Sequence, residues 1–382
     1  MIVTVVCDVL GKENNGTTIA AMNLIRYLKR KGHEVRVLCA DADKKGEDGY
    51  FVVPNLNLGK FLNDYVERVG VTLAKPDDDV IREALTGADI AHVMVPLLLG
   101  LRATKIAREL GIALSAGFHM QAENLTSYFK VDKIRLANQA VYSFIYEHVY
   151  KYADAIHYPT KFIRDVFETA IKHETPGFVI SNGVNAYVKK RFVEKPDEYK
   201  DKIVILSTGR YAREKAQDVL IKAVAISKHK DEIVLILGGQ GLKEKEYRKL
   251  AENVGVSPVF KFFLRTEIID VLNYSDMYVH PAEIELEGIS CIEAIACGKL
   301  TIVSDSPLAA TKDFAVDERC IFKCGDEADL ARVIDYWIDN PDVKEKTEQK
   351  YLASGIAFDQ EKCMEKMEQM LLEAIKNHKA GM

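Results

Sequence analysis

Apolar residues along this chain fall in short continuous blocks and seldom alternate with polar ones. Ile2–Val6, Glu34–Cys39, Ile90–Val95, Leu114–Phe118, Ala155–Tyr158 and Gly177–Ile180 therefore read as strands covered on both faces. Thr17–Arg30, Val80–Leu85 and Gly100–Leu110 lie between them as helices, and Gly32 and Gly111 stop the first and last of these. Tyr187–Lys202, rich in Lys, Glu and Asp, interrupts the pattern and reads as a linker. The alternation then restarts, with strands predicted at Ile203–Thr208, Val234–Leu237, Val259–Phe263, Met277–His280 and Leu300–Ser304. Helices are predicted at Ala216–Ser227, Leu242–Val254 and Ile289–Ala296. Strands alternating with helices give an α/β fold of two doubly wound, Rossmann-like parallel-sheet domains. Such sheets take ligands beyond the carboxyl ends of their strands, so a cleft between two facing halves is the expected site. The expected divisions are 1–184, 185–355 and a final helical segment 356–382. Within the last, Cys363, Met367, Met370, Leu371 and Ala374 line one face of Lys362–Lys376.

At 382 residues with 48% hydrophobic content, two sizeable cores can form. The net charge is -5, and residues 1–185 hold 22 basic and 22 acidic side chains, so the deficit sits in the second half. A dedicated nucleic-acid binder would show a basic footprint, and none is present. The seven Cys are odd in number and scattered through apolar contexts, which implies free thiols in a reducing compartment and no zinc site at Cys320 and Cys324. Ile2–Val6 runs into Cys7-Asp8 as a strand does, not as a leader peptide does. Ala91–Leu101, the longest apolar patch, is too short to span a bilayer. Any membrane association would be peripheral.

The densest chemistry lies at Glu285–Gly298. Two carboxylates, Glu285 and Glu293, stand eight positions apart, and Gly288 opens an apolar helix between them that stops near Gly298. The free amides of Gly288, Ile289 and Ser290 and the positive end of the helix dipole make an anion site. Anion-binding amides beside hydroxyl-accepting carboxylates suit a sugar attached to a phosphate. Gly209-Arg210 and Glu214-Lys215 follow a strand; Arg210 offers a bidentate phosphate contact and Lys215 a point charge. Gly238-Gly239-Gln240-Gly241 is a second glycine-rich strand-to-helix turn. In the first half, Gly16 allows close backbone approach at a helix start, with Thr17 as its cap. His119 closes the Leu114–Phe118 strand. Ser181-Asn182-Gly183-Val184 follows a strand and precedes the linker, with Gly183 supplying a special backbone angle. Asp41-Ala42-Asp43 spells a metal motif, but its polar loop reads as solvated charge.

These motifs resemble the Glu-x7-Glu signature and donor loops of the retaining glycosyltransferases of family 4, and the likeness covers nearly the whole chain. The resemblance implies a GT-B architecture whose last helix crosses back to the first domain. It implies a nucleoside-diphosphate sugar as donor substrate, with no cofactor and no metal. It gives Glu285 the donor sugar, Glu293 the ribose, and Arg210 and Lys215 the diphosphate. His119 falls near the reacting bond, Gly16 and Gly239 lie beside the donor, and Arg265 borders the base. Glu287 stands where the family has an aromatic residue, and Asn replaces one glycine of the first loop. The pattern also looks like bacterial enzymes that glycosylate diacylglycerol, which implies a cytoplasmic protein at the inner face of the membrane. Gln121–Tyr158, with Tyr128, Phe129, Lys130, Lys133, Arg135, Tyr142, Phe144, Tyr146, Tyr150, Lys151 and Tyr152, fits a surface on an anionic bilayer; buried aromatics of ordinary helices are the other reading. A soluble or polysaccharide acceptor, a GT-B sugar-nucleotide epimerase and a non-catalytic nucleotide-sugar binder are the rival functions. The motifs leave the oligomeric state open.

Overall fold

Two parallel sheets account for the two runs of apolar blocks. The computed structural model describes residues 1–8, 10, 16–57, 59, 73–128 and 134–381. The chain divides into two units, Met1–Asn182 with Glu361–Met382, and Gly183–Gln360. Residues 356–360 thus fall with the second unit, and the final helix starts at the last of them, Gln360.

In the first unit the strands are β1 (Ile2–Val6), β2 (Glu34–Cys39), β3 (Tyr50–Val52), β4 (Ile90–Val93), β5 (Ala113–Gly117), β6 (Ala155–Tyr158) and β7 (Gly177–Val179). Their order is β3-β2-β1-β4-β5-β6-β7, and all pairs are parallel. The helices are α1 (Gly16–Arg30), α2 (Asp78–Leu85), α3 (Leu98–Glu109), α4 (Ala122–Tyr128), α5 (Arg135–His148) and α6 (Lys161–Ile171). α1 already includes Gly16, so Thr17 is a helical residue and not the expected cap; Asn14 and Asn15 lie outside the described residues. α2 starts two residues before its first apolar position because the Asp77 side chain accepts from the amides of Asp79 and Val80, at 3.1 and 3.4 Å.

In the second unit the strands are β8 (Ile203–Thr208), β9 (Ile233–Gly238), β10 (Val259–Lys261), β11 (Met277–His280), β12 (Ile284–Glu285), β13 (Thr301–Ser304), β14 (Leu308–Ala309) and β15 (Ile321–Phe322). Six of them form a sheet in the order β10-β9-β8-β11-β13-β15, and β12 pairs with β14. The helices are α7 (Gln217–Ile226), α8 (Glu244–Val254), α9 (Arg265–Tyr274), α10 (Ile289–Ala296), α11 (Glu327–Asp339) and α12 (Pro341–Gly355). The segment expected to be a linker is fastened to this unit. Val188 is buried in its core, the Arg191 amide donates to Asn273 Oδ1 at 2.8 Å, and Lys195 pairs with Asp276 at 2.7 Å.

The last helix, α13 (Gln360–Gly381), completes the first unit. Its Cys363, Met364, Met367, Met370, Leu371 and Ala374 are buried in one cluster with Val3, Val5, Ala21, Leu24 and Leu28. Each fully buried Met or Leu side chain contributes about 1.5–3 kcal/mol of hydrophobic stabilisation. Polar contacts fix its rotation: Tyr27 donates to Glu368 Oε2 at 2.9 Å, His33 Nε2 lies 2.7 Å from Glu368 Oε1, and His378 pairs with Asp154.

The aromatic segment 121–158 is mostly core. Tyr142 and Tyr150 pack with Phe118 and Phe167, and their hydroxyls donate to Glu123 at 2.7 Å and to the Gly117 carbonyl at 3.0 Å. Tyr146 stacks on His173, and Tyr152 lies 3.4 Å beneath the Arg108 guanidinium. Of the two readings of this segment, buried aromatics hold for Tyr142 and Tyr150, while Leu125, Ile134, Leu136 and Phe144 are exposed. Phe129, Lys130 and Lys133 lie outside the described residues, as does the Tyr128 side chain. Among the described residues no helix is long and apolar enough to cross a membrane. The seven cysteines are free thiols.

Candidate active site

The second unit gathers most of the predicted residues at the carboxyl ends of β8, β9 and β11. The turns after β8 and β9 are joined backbone to backbone. The Gly209 amide donates to the Gly238 carbonyl at 2.9 Å, Tyr211 to Gln240 at 3.0 Å, and Lys243 to Tyr211 at 3.0 Å. Gly239 sits at φ 159° against Gly209; a Cβ there would lie 1.9 Å from the Gly209 carbonyl oxygen. The first loop then turns through Arg213–Lys215 to Ala216, a non-glycine residue at φ 50°. That left-handed residue costs free energy, and such strain is retained where surrounding contacts over-determine it. Here Gln217 Nε2 donates to the Arg210 carbonyl at 2.9 Å, closing the loop around Lys215. Arg210 is half-exposed and reaches Glu214 Oε1 at 3.3 Å.

β12 delivers Glu285 to the Lys215 ammonium, and the two form an ion pair. His280 Nε2, at the end of β11, lies 2.9 Å from the same carboxylate oxygen, Oε2. Among the described residues, Oε1 has no hydrogen-bond partner. Burial by itself would raise the Glu285 pKa; the Lys215 charge and the His280 hydrogen bond outweigh it and hold the carboxyl well below the usual carboxylate range. It is therefore an ionised acceptor with one oxygen committed and the other on offer.

Gly288 precedes α10 at φ 82°, where a Cβ would meet Thr311 Cγ2 at 2.7 Å and Glu285 Cγ at 3.3 Å. The amides of Cys291 and Ile292 bond back to the Gly288 carbonyl, at 2.8 and 3.1 Å. Those of Ile289 and Ser290 have no partner among the described residues, so they and the helix dipole remain free for an anion. Glu293, one helical turn further, is buried and pairs with Arg265 from the first turn of α9, whose Nε is 3.4 Å from the Tyr187 hydroxyl. Burial pushes the Glu293 carboxyl up, against the Arg265 guanidinium that favours its charged form. Glu293, the carboxylate that the motif assigns to the ribose, thus pairs with Arg265, which the resemblance puts at the base.

His119 and Gly16 belong to the first unit. His119 is partly buried beyond the end of β5, its ring 5.2 Å from that of His157, and its Nε2 is shielded from solvent with no partner among the described residues. Burial, with the neighbouring His157 and His92, lowers its pKa well below the ordinary value, so the imidazole is neutral. Gly16 is exposed at the start of α1. Asp41 of the Asp-x-Asp loop accepts the Leu10 amide at 2.7 Å, a structural bond. Among the described residues no group of His, Cys, Asp and Glu is placed to hold a metal ion.

The part of this site that motifs did not reveal is the polar face of β11. Tyr278 and His280 are two apart on a strand and so share one face, opposite Met277 and Val279. The Tyr278 hydroxyl lies 3.2 Å from His280 Nδ1, 3.0 Å from Ser290 Oγ and 3.1 Å from Thr208 Oγ1. A tyrosine and a histidine at alternate positions in an otherwise apolar strand were the available signal.

Comparison with known proteins agrees with this architecture. The model of the glycosyl transferases group 1 family matches residues 188–352, and that of glycosyltransferase family 4 matches residues 14–187. An alpha-monoglucosyldiacylglycerol synthase of Streptococcus pneumoniae is 23% identical over 233 residues, 57% of this chain and 52% of that protein. The chain thus matches about half the length of that relative. A GDP-mannose-dependent alpha-mannosyltransferase of Mycolicibacterium smegmatis is 24% identical over 325 residues, 80% of each chain. The crystal structure of Anabaena Alr3699/HepE in complex with UDP and glucose superimposes with a TM-score of 0.73 at 17% identity, covering 97% of this chain and 99% of that one, which shows a shared fold.

Proposed function

We propose that this chain, which belongs to the family 4-like glycosyltransferases of GT-B fold, moves a hexose from a nucleoside-diphosphate sugar, with UDP as the nucleotide, to an acceptor hydroxyl with retention of configuration. The acceptor is a membrane glycolipid precursor such as diacylglycerol. The observation that carries the reading is the Glu285 carboxylate, held on one oxygen by Lys215 and His280 and packed against Gly288, the residue that leads into the open amides of Ile289 and Ser290. Glu285 Oε1 accepts from a donor-sugar hydroxyl and orients the anomeric carbon. The leaving diphosphate gains charge as the glycosidic bond breaks, and Arg210, Lys215 and the α10 amides stabilise it in place of a metal ion. Glu293 accepts from the ribose. The neutral His119 donates to or accepts from the sugar. The incoming hydroxyl attacks from the face that the diphosphate leaves, so no protein nucleophile is required. Both named relatives support a hexose, one glucosyl and one mannosyl. The diacylglycerol in the name of the first supports the lipid, as do exposed Leu136 and Phe144.

The test is incubation with labelled UDP-glucose, UDP-galactose or GDP-mannose, with and without dioleoylglycerol in phosphatidylglycerol vesicles, each with and without EDTA. Label is expected in the lipid fraction, from a UDP-sugar, at a rate EDTA does not change. Release or rearrangement of the sugar with no need for an acceptor favours the epimerase, and binding without turnover favours a non-catalytic protein. A rate that collapses in EDTA and returns with magnesium overturns the metal-free mechanism.

Arg210→Ala and Lys215→Ala are each expected to weaken UDP binding about 10–100-fold, the worth of a charge-assisted phosphate contact. Titration calorimetry reads this directly. Unchanged affinity in both variants would put the diphosphate elsewhere.

A further inference from the structure

We propose that His280 is the positioning residue for Glu285, and that Tyr278 ties this pair to the anion-binding end of α10. The inference rests on the assignment of Glu285 to the donor sugar and adds the device that aims it.

Glu285 stands on a two-residue strand whose partner, β14, is equally short. So short a ladder leaves the rotation of its side chain to other contacts. Lys215 supplies charge, but an ammonium on a flexible stem attracts without fixing direction. His280 supplies direction. It is buried at the end of a central strand of the six-stranded sheet, 2% exposed, and its ring is held by the stacked Tyr278 ring. An ionised carboxylate only accepts, so the proton between them sits on His280 Nε2 and Nδ1 faces the Tyr278 hydroxyl. Both Lys215 and His280 act on Oε2. The contact therefore does not compete with substrate for Oε1; it sets where Oε1 points.

Tyr278 extends the chain. Its hydroxyl reaches Ser290 in the first turn of α10 and Thr208 at the end of β8, the strand that leads into the Arg210–Lys215 loop. One buried line of hydrogen bonds thus references the sugar carboxylate, the helix amides and the cationic loop to the same strand. A misplacement of about 1 Å at a reacting centre costs about 100-fold in rate, so this common reference is where the site obtains its precision.

The experiment compares His280→Leu, His280→Gln, Tyr278→Phe and Glu285→Gln. Each is assayed with whichever of UDP-glucose, UDP-galactose and GDP-mannose the wild type turns over fastest, and for UDP affinity by calorimetry. His280→Leu is expected to lower kcat about 10–100-fold with UDP affinity within about twofold of wild type. His280→Gln places an amide donor where Nε2 was and is expected to recover most of the loss. A packing role alone gives the opposite order, since a buried amide disturbs a core more than Leu does. Tyr278→Phe removes only the hydroxyl and is expected to lower kcat several-fold, which keeps the proposal testable should His280→Leu fail to fold. The inference is overturned if His280→Leu keeps half of wild-type kcat while Glu285→Gln is inactive, if Gln recovers nothing, or if Tyr278→Phe is unchanged. Normal turnover in Glu285→Gln overturns the site assignment itself.

Discussion

Glu285→Gln is expected to lower kcat by about 100-fold or more while leaving UDP affinity close to wild type. The geometry sets the size of the effect. Two donors, Lys215 and His280, converge on Oε2, so the amide must place its oxygen there. Its NH2 group then occupies the position of Oε1. A group that accepts from a sugar hydroxyl is replaced by one that donates, and the charge opposite Lys215 is lost. The sugar is misoriented, whereas the diphosphate contacts of Arg210 and the α10 amides remain. Glu293→Gln is the contrast. Its carboxylate is buried against Arg265, so the amide weakens nucleotide binding and leaves a cation without its counter-charge. Steady-state rates at saturating donor and UDP calorimetry separate the two. Should Glu285→Gln turn over normally, or Glu293→Gln bind UDP as tightly as wild type, the roles given to the two carboxylates are wrong even within the right enzyme class.

Gly239→Ala is expected to disable the donor site through the backbone alone. The residue holds φ 159°, and its new Cβ would sit 1.9 Å from the Gly209 carbonyl oxygen. No side-chain rotation relieves that contact, because both sides of it are main chain. Gly239 cannot retreat either: its amide donates to Lys261 at 2.9 Å, while the Gly209 amide is bound to Gly238. The turn carrying Arg210 and Lys215 must move instead. Strain and overpacking of this kind cost about 1–3 kcal/mol each, or together roughly 4–24 °C in the melting of a unit of this size. UDP affinity is expected to fall by at least about tenfold. Gly325→Ala is the control, since Gly325 also has positive φ, at 75°, yet has nothing within 4 Å of an added Cβ. If Gly239→Ala melts and binds UDP like Gly325→Ala, the two turns are not the rigid joint described here.

Long apolar strands were legible because burial on both faces leaves a continuous run. β1, β2, β6, β8 and β11 have the bounds that their residues suggested. β3, β12, β14 and β15 were not legible. They are two or three residues long, too few for any periodicity, and exist because a neighbouring strand supplies their partners. Tyr142 and Tyr150 left surface and core both open because a tyrosine carries both an apolar body and a polar tip; whether Glu123 or a backbone carbonyl waits for that tip depends on tertiary packing. In the site, spacing gave Glu285, Glu293, Arg210 and Lys215, and the structure brings Lys215 to Glu285. Spacing did not give the partners. Arg265 meets Glu293 from another helix, 28 positions earlier, and His280 meets Glu285 across the loop 281–283 between β11 and β12.

The return of α13 to the first unit has a consequence for biosynthesis. As the chain leaves the ribosome, the sheet of β1–β7 emerges with α1 beside it, but the surface that Met364, Met367, Met370 and Leu371 will cover stays bare. The intervening 183–360 must be translated first. At about 5–20 residues per second this takes roughly 10–40 s, far longer than helix formation or collapse. Of the two units, the one begun first is therefore completed second. Until residues 361–382 have emerged it presents an apolar strip to chaperones and to neighbouring nascent chains, and its final stability waits on that helix.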